Sequence, residues 1–512
     1  MTLQRRHFGV LGSAALLAAV VDTGSSTDAT AQSPAAPERF DMGSLRGMAR
    51  ELASQPFRAP ETTLPAALRD LAYDQYRHIR FKREQALWAN DGLSFQLQPF
   101  HRGFLYPNRI ALHEVADGIA HPIRYRADQF DFGALPRPAD DADLGFAGFR
   151  LTHPLNRPDH FDEVCAFLGA SYFRGLGKGH IYGLSARGLA IRTGDPKGEE
   201  FPLFRAFWIE RPVKGAQTMV VHALMDSQSA AAAFRFTIRP GEATIFDVEA
   251  TIYPRVELPG VGIAPATSMF FFGPNDRVGI DDYRPAVHDS DGLMITTGQG
   301  QQLWRPLSNP RDLQISAFAE TNPRGFGLMQ RSRAFANFQD LEAHYQNRPS
   351  LWIEPIGDWG QGEIQLFEIP TNDEIHDNIV AFWRPAQPMR ARGEYGLTYR
   401  LYWQGVRAGD EALAQFTSTR IGVGSEARVR RIVLDAVGGR LESLRNGAPF
   451  EANVSGSPGE VRNVSSEFNP ETGGVRVAFE LVPGNAPLVE LRASLKDAQG
   501  PLSETWLYRW TP

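Results

Sequence analysis

The chain has 512 residues, of which 42% are hydrophobic, and a formal net charge of −6. That length can bury a large core and favours two or more domains, and a mildly acidic surface is a poor match for nucleic acid or anionic lipid but suits a neutral ligand such as a sugar. The single cysteine, Cys165, excludes an intrachain disulfide.

Residues 1–31 read as a removable twin-arginine signal peptide. Arg5 and Arg6 precede a short apolar stretch from Val10 to Val21, and Ala29-Thr30-Ala31 offers a small-residue cleavage site. The expected destination is the periplasm. Elsewhere no run of about 18 apolar residues occurs, so no membrane-spanning helix is expected. Asp41 to Ser44 could open a helix running to about Gln55, and the spacing of Leu68, Leu71, Ala72 and Gln75 predicts another over Ala66 to Tyr76. Cys165 lies among Phe161, Val164, Phe167 and Leu168, which reads as a buried structural thiol. Gly175-Leu176-Gly177-Lys178-Gly179 lacks the spacing of a phosphate loop and reads as a close backbone approach.

Strand patterns dominate the rest. Phe234, Phe236 and Ile238 alternate with polar residues, Pro240-Gly241-Glu242 turns the chain, and Thr244 to Tyr253 returns, which predicts a hairpin. Leu397, Tyr399, Leu401 and Trp403 alternate likewise. From Gly405 the chain turns small and polar to about Thr419, with a linker placed at 405–416. Strands are then expected over Val429 to Leu434, Val475 to Val482, Val489 to Leu495 and Thr505 to Trp510. Residues 417–512 thus have the size and strand spacing of an immunoglobulin-like sandwich. The predicted class is all-β.

Carboxylates and rings concentrate between Gly273 and Pro385. The stretches are Asp281-Asp282-Tyr283-Arg284-Pro285, His288-Asp289-Ser290-Asp291-Gly292, Trp304-Arg305, Asn322-Pro323-Arg324-Gly325, Gly357-Asp358-Trp359-Gly360, and Asp373 to Asn378 running into Trp383. A sugar presents apolar C–H faces that rings can cover and hydroxyls that Asp, Glu, Asn and Arg can bond. Glycoside cleavage needs one carboxylic acid and a second carboxylate. Candidates for holding a sugar are Tyr283, Arg284, Asp291, Trp304, Arg324, Asp358, Trp359 and Trp383. The same residues also read as ordinary structure: Asp289 and Asp291 as an Asx turn, Asp358 as a hairpin turn, Asp373-Glu374 as a helix cap. A calcium loop lacks its terminal Glu, and His288 and His376 have no companion ligands, so no metal or cofactor is expected. Gly183-Leu184-Ser185-Ala186-Arg187-Gly188 misses the serine-hydrolase elbow by one position.

In order along the chain, Tyr73 to Arg77, Ile79 to Phe81, Ala170 to Arg174, Asp281 to Pro285, His288 to Gly292, Asn322 to Gly327, Arg348 to Trp352, Gly357 to Gly360 and Asp377 to Pro385 resemble the periplasmic glucan biosynthesis protein G/D family. The twin-arginine leader makes the likeness stronger to the D member. The resemblance implies a large mutarotase-like β-sandwich over 32–404 and an immunoglobulin-like domain after it. It implies action on osmoregulated periplasmic glucan, as an inverting endo-β-1,2-glucanase, with a non-catalytic scaffold or a transglycosylase as alternatives. The partners would be β-1,2-linked glucan and, as a candidate, the membrane glucan synthase. By motif, Asp377 would be the general acid, Asp289 the base, and Glu374 a carboxylate that holds substrate. His376, where the family is expected to carry Asn, is a protonatable neighbour expected to move the proton affinity of Asp377.

Overall fold

A computed structural model describes residues 39–139, 141–405 and 412–512. The leader read over residues 1–31 and most of the linker, 406–411, lie outside the described residues.

Two large sheets carry the N-terminal part. One has ten strands, with Gln96–Phe100, Gly148–His153, Asp162–Leu168, Tyr172–Gly175, Ser185–Arg187, Gly262–Ser268, Ile379–Pro385, Gln361–Glu368 and Gln314–Thr321 in spatial order, and Leu189–Ala190 beside it. The other includes Gln302–Pro306, Gly292–Thr296, Gly325–Met329, Ser350–Ile356, Tyr395–Gln404, Thr244–Pro254, Ala230–Arg239, Met219–Asp226, Leu203–Glu210, Ala111–Ala116 and Ile119–Pro122 in spatial order. The expected hairpin forms, with Arg239 opposite Ile245. Its alternation has the expected cause: Phe234, Phe236 and Ile238 point into the core with no exposed surface. Arg235 faces outward and pairs with Glu249 on the next strand at 2.7 Å. Between the sheets the rings interlock. Phe167 and Phe173 on the ten-stranded sheet meet Phe236 at 5.2 and 5.1 Å. Cys165 is buried in this core, and burial pushes its thiol far above its ordinary range, so it is inert. A Cβ on Gly177 would stand 2.4 Å from the carbonyl of Glu242, so this loop does bring backbones together as its glycines suggested.

Helical content is small. Met42–Ser54 is capped by Asp41, whose carboxylate accepts the Ser44 amide at 2.7 Å. Its buried Leu45 and Ala49 join a cluster with Trp208 and Tyr253. The helix expected over Ala66 to Tyr76 is instead two single turns, Ala66–Arg69 and Tyr73–Tyr76. The break falls where Ala72 is extended and its amide is taken by the Gln75 side chain at 2.8 Å. Leu68 and Leu71 both still reach the core.

Beyond residue 412, Gln415–Val423, Arg430–Val437, Gly474–Val482 and Glu460–Asn469 form a four-stranded sheet. It packs on Glu451–Ser457, Val489–Asp497 and Thr505–Trp510 around Phe416, Leu434, Phe479, Leu491 and Trp506. Gln415 and Phe416, counted with the linker above, begin a strand, because Phe416 anchors this core. The two parts share a sheet: Thr505–Trp510 runs parallel to Gln302–Pro306, with Trp506 opposite Trp304. Arg331 reinforces that seam through a bidentate ion pair to buried Glu504 at 2.5 and 2.8 Å. No helix among the described residues is long and apolar enough to cross a membrane.

Candidate functional site

Strand ends place the chemistry. Asp289 precedes Gly292–Thr296, Arg348 precedes Ser350–Ile356, and Asp377 precedes Ile379–Pro385. Two of these segments are tied to the same short stretch of backbone. The Asp289 amide donates to the Met269 carbonyl at 2.8 Å, and the Ser268 hydroxyl donates to Ser290 Oγ at 2.8 Å. One residue along, the Asn378 side chain accepts from the Phe270 amide at 2.8 Å and donates to its carbonyl at 3.0 Å. Asp289 and Asp377 therefore flank one segment, Ser268 to Phe270, although 88 positions separate them in the sequence.

The surroundings of the two carboxyls differ. Asp289 is buried and ion-paired with the buried Arg348 at 2.8 Å. Arg348 also lies over the Tyr345 ring, 4.8 Å from its centroid. Asp377 is half-buried, and its carboxyl has no hydrogen bond or ion pair among the described residues. Burial pushes it up to about 6, and the charge of Asp289 adds to the rise. Arg174, Arg187 and Arg348 pull the other way. A proton held at that affinity on an unengaged carboxyl is what a general acid requires.

The floor around Asp377 is the face of the ten-stranded sheet that points away from the Phe core. Arg174 donates to Ser185 Oγ at 2.9 Å. Arg187 donates to Thr267 Oγ1 at 2.7 Å, pairs with Glu199 at 2.5 Å and lies over the Tyr172 ring at 4.9 Å. Tyr172 is part-buried beside Arg187, whereas Tyr106 is enclosed in the core behind it. On the rim, Arg284 holds three carboxylates: Asp282 at 2.7 Å, Asp340 at 2.9 Å and Glu374 at 2.8 Å. Tyr345 donates to Glu374 at 3.2 Å. Burial pushes Glu374 up to about 7, and the Arg284 ion pair opposes that rise.

The structure thus gathers Asp289, Asp377, Glu374 and Arg284. Tyr283 stands beside them, 78% exposed. Other sequence candidates take structural positions. Asp291 spends its carboxylate on the amides of Arg331 at 3.0 Å and Ser332 at 3.1 Å. Trp304 is buried under the Arg331 guanidinium, 3.5 Å from the ring centroid, in the core shared with the C-terminal unit. Trp383 and Trp359 are core residues with 1% and 7% exposure, so neither face is open to a sugar. Asp358 accepts the Gly360 amide at 2.9 Å in a turn that carries the chain from one large sheet to the other, not in a hairpin. That turn lies beyond the far end of Ile379–Pro385, roughly 20 Å from Asp377 at the rise of a strand. Arg324 is exposed at the same end, against Gly300. His376 turns away from Asp377, into a separate cavity of about 500 Å³ that Asp276, Asn309 and Thr371 also line. It is not among the largest influences on the proton affinity of Asp377, which burial dominates. His288 is buried, stacked on Phe270 and bonded to Gln330 at 2.9 Å. Among the described residues no cluster of His, Cys, Asp or Glu is placed to hold a metal ion.

The profile of the family described as "Periplasmic glucan biosynthesis protein, MdoG" matches residues 40–510. The chain belongs to the periplasmic glucan biosynthesis protein family. A "Glucans biosynthesis protein G" of Rhodopseudomonas palustris (strain BisA53) is 57% identical over 97% of this chain and 98% of its own length. Proteins of the same name from Bradyrhizobium diazoefficiens and Vibrio cholerae O395 are 53% and 50% identical, over 98% and 92% of this chain and 98% and 87% of theirs. These relatives of the glucan biosynthesis family carry the G name, where the leader had suggested the D member. Arginines 174, 187 and 348 were the site residues that composition did not single out. Arg174 and Arg348 lay within stretches that carried the family resemblance, while Arg187 sat in the near-miss of a hydrolase elbow.

Proposed function

We propose that this protein is an inverting endo-β-1,2-glucanase of the periplasm that acts on the backbone of osmoregulated periplasmic glucan. The observation that carries the reading is Asp377: an unengaged carboxyl raised to about 6, beside an ion-paired Asp289. In the mechanism, Asp377 gives its proton to the leaving glycosidic oxygen. A water on the opposite face of the sugar attacks the anomeric carbon and passes its proton to Asp289, directly or through a hydroxyl. Inversion requires space for that water between the two carboxyls, roughly 6.5–9.5 Å, and a relay extends the reach. Tyr172, which is only part-buried, offers a ring along the trough, and Arg174, Arg187 and Glu374 offer bonds to hydroxyls. Arg348 keeps Asp289 fixed and paired.

The test is incubation of the purified protein with linear β-1,2-glucan. Shorter chains support hydrolysis. Rings or longer chains would replace it with transglycosylation, which shares the same acid step. Binding without any product would leave a glucan scaffold that assists the synthase.

A further inference from the structure

A second cavity, of about 220 Å³, opens at the edge of the ten-stranded sheet beside Gln96–Phe100, Gly148–His153 and Asp162–Leu168. It is smaller than a drug-sized pocket and suits a single small group. Packed rings lie between it and Asp377. Tyr106, which feels the charge of Asp377, lies 5.6 Å from Tyr76, and Tyr76 lines the cavity.

Its charges are not balanced. The acids on its wall are already engaged: Glu163 is ion-paired with Arg150, and Asp162 accepts the Asn156 amide at 2.8 Å and faces His160 at 3.8 Å. Three further arginines line it. Arg77 has only a loose contact with exposed Asp74 at 3.8 Å and a ring below it, Tyr73, at 5.7 Å. Arg80 and Arg83 line the cavity with exposed side chains, and neither pairs with any acid among the described residues. Three guanidinium groups lining one cavity with the rings of Tyr73, Tyr76 and Phe81 match an anionic group attached to a sugar: rings can cover a C–H face and the forks can take a phosphate or carboxylate.

We propose that this cavity is a subsite for a phosphate- or carboxylate-bearing sugar unit, outside the trough where the bond is cut. It rests on the sugar-binding part of the function proposed above and is independent of hydrolysis.

The test is titration of the full-length mature protein with glucose 6-phosphate, glucuronate, glucose and inorganic phosphate, followed by NMR or calorimetry. The expected result is saturable, salt-sensitive binding of one or both charged sugars, with glucose and inorganic phosphate weaker. The arm that binds tightest tells phosphate from carboxylate. The exposed double variant Arg80→Ala/Arg83→Ala should weaken that binding at least tenfold while shortening neutral glucan at the wild-type rate. No saturable binding, binding that survives in the double variant, or inorganic phosphate binding as tightly as glucose 6-phosphate would each overturn the proposal. Failure of both proteins to shorten neutral glucan would remove the glucanase reading and leave this one standing.

Discussion

The two ends of the strand Ile379–Pro385 look alike in composition and differ in chemistry. At one end stand Asp377, Asp289 and Glu374; at the other stand Asp358, Trp359 and Trp383. Both ends pair acids with rings. At the first end burial raises the proton affinity of two carboxyls, and arginines 174, 187 and 348 act on one of them. At the second end the rings fill the core, Trp359 meeting Trp383 at 6.2 Å and Tyr399 at 6.1 Å, and the acid closes a turn. The first end is therefore marked by carboxyls whose proton affinity burial raises, and the second by groups that packing and turn bonds have used up.

The sharpest way to break this contrast is to exchange one acid from each end. Asp377→Asn should lower glucan cleavage by about 10²–10⁴-fold, the range for a lost general acid, with the fold intact by circular dichroism. Arg348→Ala comes next. It leaves Asp289 buried without its cation, which costs about 3–5 kcal/mol for a broken buried pair, and both thermal stability and cleavage should fall. Trp383→Ala should cost about 3–5 kcal/mol of stability, read by denaturant unfolding, yet the folded fraction should keep a wild-type cleavage rate per molecule. A loss of activity without loss of stability would make Trp383 part of the trough after all.

Smaller effects come from pH. The proposed general-acid role requires Asp377 protonated, so on that proposal kcat/KM should fall as pH rises through about 6. Its stability effect has a definite sign. The folded carboxyl binds its proton more tightly than the unfolded one, so the folded state holds more protons between about pH 4 and 6, and stability declines across that window as pH rises. Asp377→Asn removes the penalty, so its thermal midpoint should exceed that of the wild type at pH 7 and converge with it near pH 4. The smallest expected change is Asp358→Asn, which should leave cleavage untouched and alter stability by no more than about 1 kcal/mol, the value of one exposed turn bond.

Much of the fold was legible because strand alternation reports burial directly. Phe234, Phe236 and Ile238 announced both their strand and its inner face. Gln415–Val423, Glu451–Ser457 and Glu460–Asn469 were not legible, since they carry many polar and small residues and only a few buried anchors such as Phe416. The acids of the site were legible through family motifs; their arginine partners were not, because Arg174, Arg187 and Arg348 come from three separate strands or strand ends. Trp359 and Trp383 show the opposite failure. A tryptophan beside an Asp reads as a sugar platform until packing shows the ring enclosed. His376 sits in a bend just before the strand and lines the cavity of Asp276 and Asn309, a placement that no strand pattern announces.

One measurement bears most directly on the pair Asp377 and Asp289. Proton NMR during the first minutes of linear β-1,2-glucan digestion reads the anomeric form of each new reducing end before mutarotation. The account predicts shorter chains with newly formed α-anomers from the wild type and none from Asp377→Asn. New β-anomers, or equal products from the variant, would contradict it.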